Sequence, residues 1–219
     1  MGHNPSGPAM TDVVVPAHNE AATIGQVVTA ARAAPSVSSV IVVADKCTDA
    51  TAAIAQQHGA DMVVEIAAGN KGSAMAAGLA HVTTADVLFV DGDLVGLHWQ
   101  HIEGLLLAGP IGGQVCGLRD EKYGLGSNRL PPITGERRLP TKLARTVQLD
   151  GAGYRAETLI NAAVGRARLP HKNYVMVGVH NPTRASRAPV SWVTMWGDLA
   201  LLAVVNLPGL IAYAMHPDG

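Results

Sequence analysis

Four short apolar runs alternate with segments of helical spacing over the first half of the chain. This alternation restricts the fold more than any other feature. The apolar runs cover residues 12–16, 38–44, 61–66 and 85–91, and each is rich in valine, isoleucine or leucine. The segments at 19–34, 48–59, 70–82 and 98–108 follow them and have the spacing of helices. Alternating strands and helices predict an α/β fold with a mostly parallel sheet and helices on both faces.

Polar clusters follow each of the four predicted strands. They occupy residues 16–20, 45–46, 69–72 and 91–93. The carboxyl ends of parallel strands meet at one edge of the sheet, and ligands bind beyond that edge. We therefore expect one site at this edge, built from all four clusters.

Two carboxylates close to one another, Asp91 and Asp93, end the fourth run with only Gly92 between them. Two like charges in one site raise each other's pKa unless a cation compensates them. A divalent ion that prefers oxygen ligands, Mg²⁺ or Mn²⁺, would do so and could bridge a diphosphate. An isolated Asp-Gly-Asp is more often a solvated turn. Its place on the shared edge favours the metal site.

Two further residues at this edge, Asn19 and Lys71, have a structural interpretation, and Lys71 also has a functional one. Asn19 is predicted to cap the first helix. Lys71, at the start of the third helix, is either a solvated lysine or a cation that faces a phosphate or a base. The glycine-rich motifs of phosphate-binding and dinucleotide-binding loops do not follow the first strand, so neither of those site types is supported.

Composition excludes several classes of function. The net charge is −1 and aromatic residues make up only 4%, which argues against a nucleic-acid binder. Hydrophobic residues make up 48%, enough for a large core. Cys47 and Cys116 lie far apart and define neither a metal spacing nor a disulfide framework, as expected for a cytoplasmic protein with two ordinary thiols.

The pattern changes after residue 108. Residues 109–140 are rich in glycine, proline and charge without a sustained period, and they predict a long functional loop. Within it, Arg137 and Arg138 are expected to be a solvated pair at a helix start. Residues 141–149 and 154–167 predict helices, and residues 173–180 predict a strand.

The apolar segment at 199–215 is short for a membrane span and is interrupted by Asn206 and Pro208. We expect a packing or subunit-contact helix, kinked at Pro208, in a chain that could form a homodimer. Peripheral contact with a membrane is the weaker interpretation.

Ordered motifs then give the chain a family resemblance. The series VVVPAHNEAATIG, VIVVADKCTDAT, NKGSAMAAGL and VLFVDGDL resembles that of family 2-like glycosyltransferases with the GT-A fold. In the second half, PITGERRLPTKL, GAGYRAETLINAAVGRARLP and VMVGVHNPTR are similar to segments of the glucosyl-3-phosphoglycerate synthases. The resemblance covers roughly residues 12–187. It departs at Ala44, where an aspartate is common, and at Gly92, where those synthases often have serine. These departures bear on the identity of the acceptor more than on the identity of the donor.

The resemblance implies a role for each matching position. The residues implied to bind a UDP-sugar are Pro16, Ala17, Glu20, Asp45, Lys71, Gly72, Asp91 and Gly92, with Asp45 facing the uracil. Asp91, Asp93 and His180 would bind Mg²⁺ or Mn²⁺. Glu157 would reach the donor sugar and act in catalysis with Asp93, whereas Thr134, Gly135 and Arg184 would meet the acceptor. Two alternatives remain: His180 as a polar surface residue, and Glu157 paired with Arg155 or Arg184.

The implied activity is metal-dependent transfer of a sugar, with glucose favoured, from a UDP-sugar to a small acceptor such as 3-phosphoglycerate. The alternative is an inverting transferase that acts on a polyprenyl-phosphate or polysaccharide acceptor. A sugar-phosphate nucleotidyltransferase and a non-catalytic sugar-nucleotide-binding domain are less favoured. On this interpretation residues 1–11 form a flexible leader, 12–108 a donor-binding half, 109–187 an acceptor-binding and metal-completing half, and 188–219 an apolar extension.

Overall fold

The computed structural model describes residues 10–119, 133–181 and 207–215. Its strands are β1 (Thr11–Ala17), β2 (Val37–Asp45), β3 (Met62–Ile66), β4 (Asp86–Phe89), β5 (Gln114–Arg119), β6 (Arg137–Pro140) and β7 (His171–Met176). Its α-helices are α1 (Ile24–Arg32), α2 (Thr51–Gln57), α3 (Lys71–Leu79), α4 (Trp99–Leu107), α5 (Thr141–Ala144), α6 (Ala156–Arg166) and α7 (Leu207–Met215), and a 3₁₀ turn at Gly153–Arg155 precedes α6.

The seven strands form one sheet in the order β3-β2-β1-β4-β6-β5-β7. The first four strands are parallel, β6 is antiparallel to both β4 and β5, and β7 is parallel to β5. This confirms the predicted mostly parallel sheet. The carboxyl ends of β1, β2 and β4 lie at one edge, as the sequence predicts.

Helices cover both faces of the sheet because the central strands are apolar on both sides. Val13 and Val15 of β1 face one core, and Val14 between them faces the other. The first core includes Ile24, Val27, Ile102 and Leu105 of α1 and α4. The second includes Met75, Leu79, Ile160 and Val164 of α3 and α6.

The expected loop at 109–140 contains two strands, β5 and β6, so that prediction was wrong. The predicted solvated pair was also wrong, because Arg137 and Arg138 lie in β6 with exposed fractions of 0% and 6%. Their guanidinium groups are stabilised by backbone carbonyls, such as that of Leu106, 3.0 Å from Nη1 of Arg138. Because β6 has only four residues and two of them are charged, it has no apolar period that a sequence pattern could reveal.

Some predicted element ends also differ. Helix α1 begins at Ile24 after Thr23, so Asn19 is not its cap. Asn19 has a positive φ of 55°, and its side chain accepts a hydrogen bond from the backbone N–H of Thr48 at 2.7 Å. The turn after β1 is thereby fastened to the turn after β2. Helix α5 covers only Thr141–Ala144, and His180 lies beyond β7 in an isolated bridge with Val95.

The described C-terminal helix, α7, packs against α6. A Cβ atom added at Gly209 would lie 2.6 Å from the carbonyl oxygen of Ala162, so the two backbones are in close contact. Pro208 is the second residue of α7, where a missing N–H is tolerated. Residues 199–206 of the predicted apolar segment lie outside the described residues. No helix in the described ranges has both the length and the apolar character needed to cross a membrane.

A buried carboxylate fixes the start of β1. Asp12 is 1% exposed, and its Oδ2 accepts a hydrogen bond from the backbone N–H of Thr83 at 2.7 Å. Its Oδ1 accepts another from the hydroxyl of Ser39 at 2.8 Å. Burial raises the pKa of Asp12, but these hydrogen bonds together lower it below its ordinary value. The ionised form is therefore favoured in the folded protein.

We predict that Asp12→Asn lowers the free energy of unfolding at pH 7 by about 1–3 kcal/mol, since an amide nitrogen faces backbone donors. The contribution of the Asp12 carboxylate is present above its unfolded pKa of about 3.9 and is lost as the pH falls through the lower folded pKa. Urea unfolding of both proteins at pH 7 and below pH 4 measures the difference. An equal difference at both pH values would contradict this prediction.

Candidate active site

A cavity of about 380 Å³ opens at the carboxyl ends of β1, β2 and β4. This volume is within the usual range for small-molecule sites. Ten of the predicted site residues line it, namely Pro16, Ala17, Glu20, Asp45, Lys71, Asp91, Gly92, Asp93, Gly135 and Glu157. Gly72, Thr134 and His180 do not line this cavity, and Arg184 lies outside the described residues.

The ammonium group of Lys71 lies between two carboxylates on the cavity wall. Its Nζ is 2.6 Å from Oδ1 of Asp91 and 2.8 Å from Oε1 of Glu157. Burial lowers the pKa of Lys71, but the charges of Asp91 and Glu157 outweigh this effect and raise it above its ordinary value. Lys71 is therefore protonated and links the end of β4 to α6. The structure pairs Glu157 with Lys71 rather than with Arg155, and Arg184 lies outside the described residues.

Lys71 is brought to the cavity by the loop that precedes α3. The carboxylate of Asp45, at the end of β2, accepts hydrogen bonds from the backbone N–H groups of Gly69 at 2.7 Å and Asn70 at 2.8 Å. The side chain of Asn70 then caps α3 by accepting the N–H of Ser73 at 2.9 Å. Asp45, which the family resemblance places at the uracil, thus also holds the loop that carries Lys71.

Gly72 lies beneath the cavity wall rather than in it. A Cβ atom at this position would be 2.3 Å from the carbonyl oxygen of Leu149. The loop around residue 150 is fastened here to α3, since the hydroxyl of Ser73 donates to Asp150 at 2.5 Å and accepts from the N–H of Gly151 at 3.0 Å. The absence of a side chain at Gly72 permits the close approach of the Leu149 carbonyl to α3. Tyr154 follows this loop and lines the cavity.

Two glycines allow close packing around the acidic pair. A Cβ atom at Gly135 would lie 2.0 Å from Oδ1 of Asp91, so only glycine fits there without displacing that carboxylate. Gly92 lies against Ala17, and its carbonyl oxygen accepts a hydrogen bond from the hydroxyl of Thr23 at 2.8 Å. This bond fixes the turn between Asp91 and Asp93.

Asp93 is 5% exposed, and its Oδ2 accepts a hydrogen bond from Nδ2 of Asn181 at 2.5 Å. His180 precedes Asn181, and its backbone pairs with Val95. In the described ranges no three His, Cys, Asp or Glu side chains are arranged as a metal site. Asp91 and Asp93 nevertheless offer hard carboxylate oxygens to one cavity. This donor set fits an ion such as Mg²⁺, which commonly takes one or two protein carboxylates and fills its other positions with phosphate oxygens and water.

Thr134 faces the protein interior instead of the cavity. Its hydroxyl donates to the carbonyl of Gly117 at 2.8 Å and is also hydrogen-bonded to the carboxyl group of Glu136. Glu136 is fully buried, 3.7 Å from the guanidinium of Arg119. Burial, reinforced by the charge of Asp91, raises the pKa of Glu136.

Eight lining residues carry no individual role in the sequence interpretation, namely His18, Gly69, Asn70, Ala74, Ile133, Gly153, Tyr154 and Asn181. Tyr154 and Asn181 lie within the motifs quoted for the family resemblance, next to residues that were singled out. The contact between Asn181 and Asp93 joins positions 88 residues apart, and no local pattern signals it.

Comparison with known proteins gives a family for this chain. The sequence model of glycosyl transferase family 2 matches residues 12–142, well over half of the chain. No curated protein sequence matches it significantly.

Several solved structures share the fold. A complex of glucosyl-3-phosphoglycerate synthase from Mycobacterium tuberculosis with Mn²⁺, UDP-glucose and glycerol 3-phosphate aligns with a TM-score of 0.72 at 22% identity, over 90% of this chain and 80% of that one. Mannosyl-3-phosphoglycerate synthase from Rubrobacter xylanophilus aligns with a TM-score of 0.66 at 18% identity, over 91% and 74%. At these identities the alignments establish the predicted GT-A α/β fold. The family match goes further, and it shows that this chain belongs to glycosyl transferase family 2.

Proposed function

We propose that this glycosyltransferase moves glucose from UDP-glucose to a small phosphorylated acceptor such as 3-phosphoglycerate, with Mg²⁺ or Mn²⁺ bound at Asp91 and Asp93. The observation that carries the proposal is the gathering of Asp91, Asp93, Lys71 and Glu157 around one cavity at the sheet edge. Structures with this fold include synthase complexes with Mn²⁺, UDP-glucose and phosphoglyceric acid, which supports the choice of substrates.

The donor nucleotide would lie along the ends of β1 and β2. Pro16, Ala17 and Glu20 line this part of the cavity, and the turn at Gly92 packs against Ala17. Both carboxylate oxygens of Asp45 already accept backbone N–H groups. Asp45 would therefore influence the nucleotide by fixing the loop at Gly69 and Asn70, in addition to any direct contact with the base.

The diphosphate would lie between the acidic pair and Lys71. A divalent ion supplies Lewis-acid stabilisation of the leaving diphosphate when it is bound. Lys71 adds a fixed positive charge beside Asp91, and a charge already in position stabilises a developing anion without reorganisation. Asn181 holds one oxygen of Asp93 and so orients that carboxylate toward the cavity.

Glu157 would contact the transferred sugar. Its Oε1 is bound to Lys71, whereas its buried Oε2 has no hydrogen-bond partner among the described residues. A buried polar atom is normally hydrogen-bonded. Since Glu157 lines the cavity, a sugar hydroxyl could donate to this oxygen. The acceptor would enter beside Gly135 and Ile133, which both line the cavity.

We predict that UDP binding, measured by titration calorimetry, strengthens when Mn²⁺ is added and that Asp93→Asn removes this gain. The expected loss in affinity is about tenfold or more, because the variant removes a charged oxygen ligand. Asp61→Asn is the matched control, since Asp61 precedes β3 at the opposite edge of the sheet. Equal affinity of the wild type for UDP with and without Mn²⁺ would contradict the metal assignment.

We further predict turnover of UDP-glucose with 3-phosphoglycerate at a higher kcat/KM than with glycerate or a polyprenyl phosphate. Product formation and anomeric configuration can be followed by NMR, and retention of configuration is expected from the synthase resemblance. Preference for the polyprenyl phosphate, with inversion, would replace this proposal by the alternative activity. Formation of UDP-glucose from UTP and glucose 1-phosphate would instead indicate a nucleotidyltransferase.

A further inference from the structure

Two consecutive arginines in β6 extend to opposite layers of the protein, since neighbouring residues of a strand face opposite sides. Arg138 extends toward α4, where its Nη1 donates to the carbonyl of Leu106 at 3.0 Å and its Nη2 to that of Pro110 at 2.8 Å. Arg137 extends toward α6 and is fully buried. It therefore lies behind the cavity wall and cannot touch a ligand in the cavity.

The guanidinium of Arg137 joins two segments that are distant in sequence. Its Nε donates to the carbonyl of Thr134 at 3.0 Å, and Nη2 donates to the same oxygen at 2.5 Å. Its Nη1 donates to Oδ1 of Asn161 at 3.0 Å and to the carbonyl of Glu157 at 3.3 Å. The planar guanidinium can make these bonds in different directions at once, which a lysine ammonium on a single flexible stem cannot reproduce.

Both segments carry groups of the active site. Thr134 precedes Gly135, whose backbone packs against Asp91. Glu157 offers its carbonyl to Arg137 and its carboxylate to Lys71, which also pairs with Asp91. The contacts form a ring that starts at Arg137, passes through Thr134, Gly135, Asp91, Lys71 and Glu157, and returns to Arg137.

We propose that Arg137 is a positioning residue that sets the separation between Asp91 and Glu157 and thereby the place of the Lys71 ammonium. The proposal rests on the proposed roles of these three groups in sugar transfer. Burial of a guanidinium is costly unless its hydrogen bonds are satisfied, and here they are made to the segments that must stay in register. Without this link α6 and the turn before β6 can shift independently, and small displacements of catalytic groups reduce rates strongly.

Arg137→Lys and Arg138→Lys form a matched pair of variants. Each keeps a positive charge at a buried position of the same strand, but only the first loses the link between the two active-site segments. We expect Arg137→Lys to lower kcat for UDP-glucose turnover about tenfold with little change in KM, and Arg138→Lys to retain nearly the wild-type kcat. Thermal unfolding of both variants gives the common structural effect. Loss of kcat in both variants in proportion to their stability would overturn the proposal.

A second readout needs no substrate. Amine acylation followed by mass spectrometry compares the reactivity of Lys71 with that of the exposed Lys142 in the same protein. Lys71 should react slowly in the wild type and in Arg138→Lys, and several-fold faster in Arg137→Lys because Glu157 shifts away. Unchanged reactivity of Lys71 in folded Arg137→Lys would overturn the proposal, whatever the natural sugar donor is. If UDP-glucose is not turned over but Lys71 responds as expected, only the proposed substrate fails.

If Arg137→Lys does not fold, Asn161→Ala serves in its place, since it removes the side-chain acceptor of Arg137 on α6. The expected result is again faster acylation of Lys71 and a lower kcat. A folded Asn161→Ala protein with wild-type acylation and kcat would overturn the proposal.

Discussion

One ammonium group, that of Lys71, holds together two carboxylates that would otherwise repel each other. Asp91 arrives from the end of β4 and Glu157 from the first turn of α6, and each lies within 2.8 Å of Nζ. The neighbouring contacts serve to place this group: Asp45 fastens the loop before it, and Asn70 caps the helix that it begins. Because the ammonium of Lys71 offsets part of the negative charge of Asp91 and Glu157, both acids can persist in a buried cavity before any ligand binds.

The candidate site combines the two parts of a mixed sheet. The parallel strands β1, β2 and β4 supply the edge where a nucleotide sugar would lie. The antiparallel strand β6 lies beside β4 and follows the turn that carries Gly135, whose backbone meets Asp91. Helix α6 then adds Glu157. Under the proposed function, this arrangement would bring donor-binding and sugar-binding groups into one cavity.

Local signals in the sequence account for the parallel part of the fold and for most of the cavity. Runs rich in valine and isoleucine predict buried strands, and the polar residues that follow them must share an edge. Strand β6 could not be predicted this way, because Arg137 and Arg138 resemble solvated residues. The partners that permit their burial include groups far away in sequence, such as the side chain of Asn161 and the carbonyl of Leu106. The pair of Lys71 and Glu157 spans 86 positions, and its formation depends on the packing of α3 and α6. Asn19 is likewise a residue type that often caps helices, but here its side chain accepts a hydrogen bond from Thr48 in another turn.

The most direct test of the central claim is a crystal structure with Mn²⁺ and UDP-glucose, in which anomalous scattering locates the metal. We predict a manganese peak in direct contact with the carboxylate of Asp93 and with the diphosphate, while Lys71 remains paired with Glu157. A nucleotide bound away from the edge formed by β1, β2 and β4, or a manganese ion that does not touch Asp91 or Asp93, would contradict the claim.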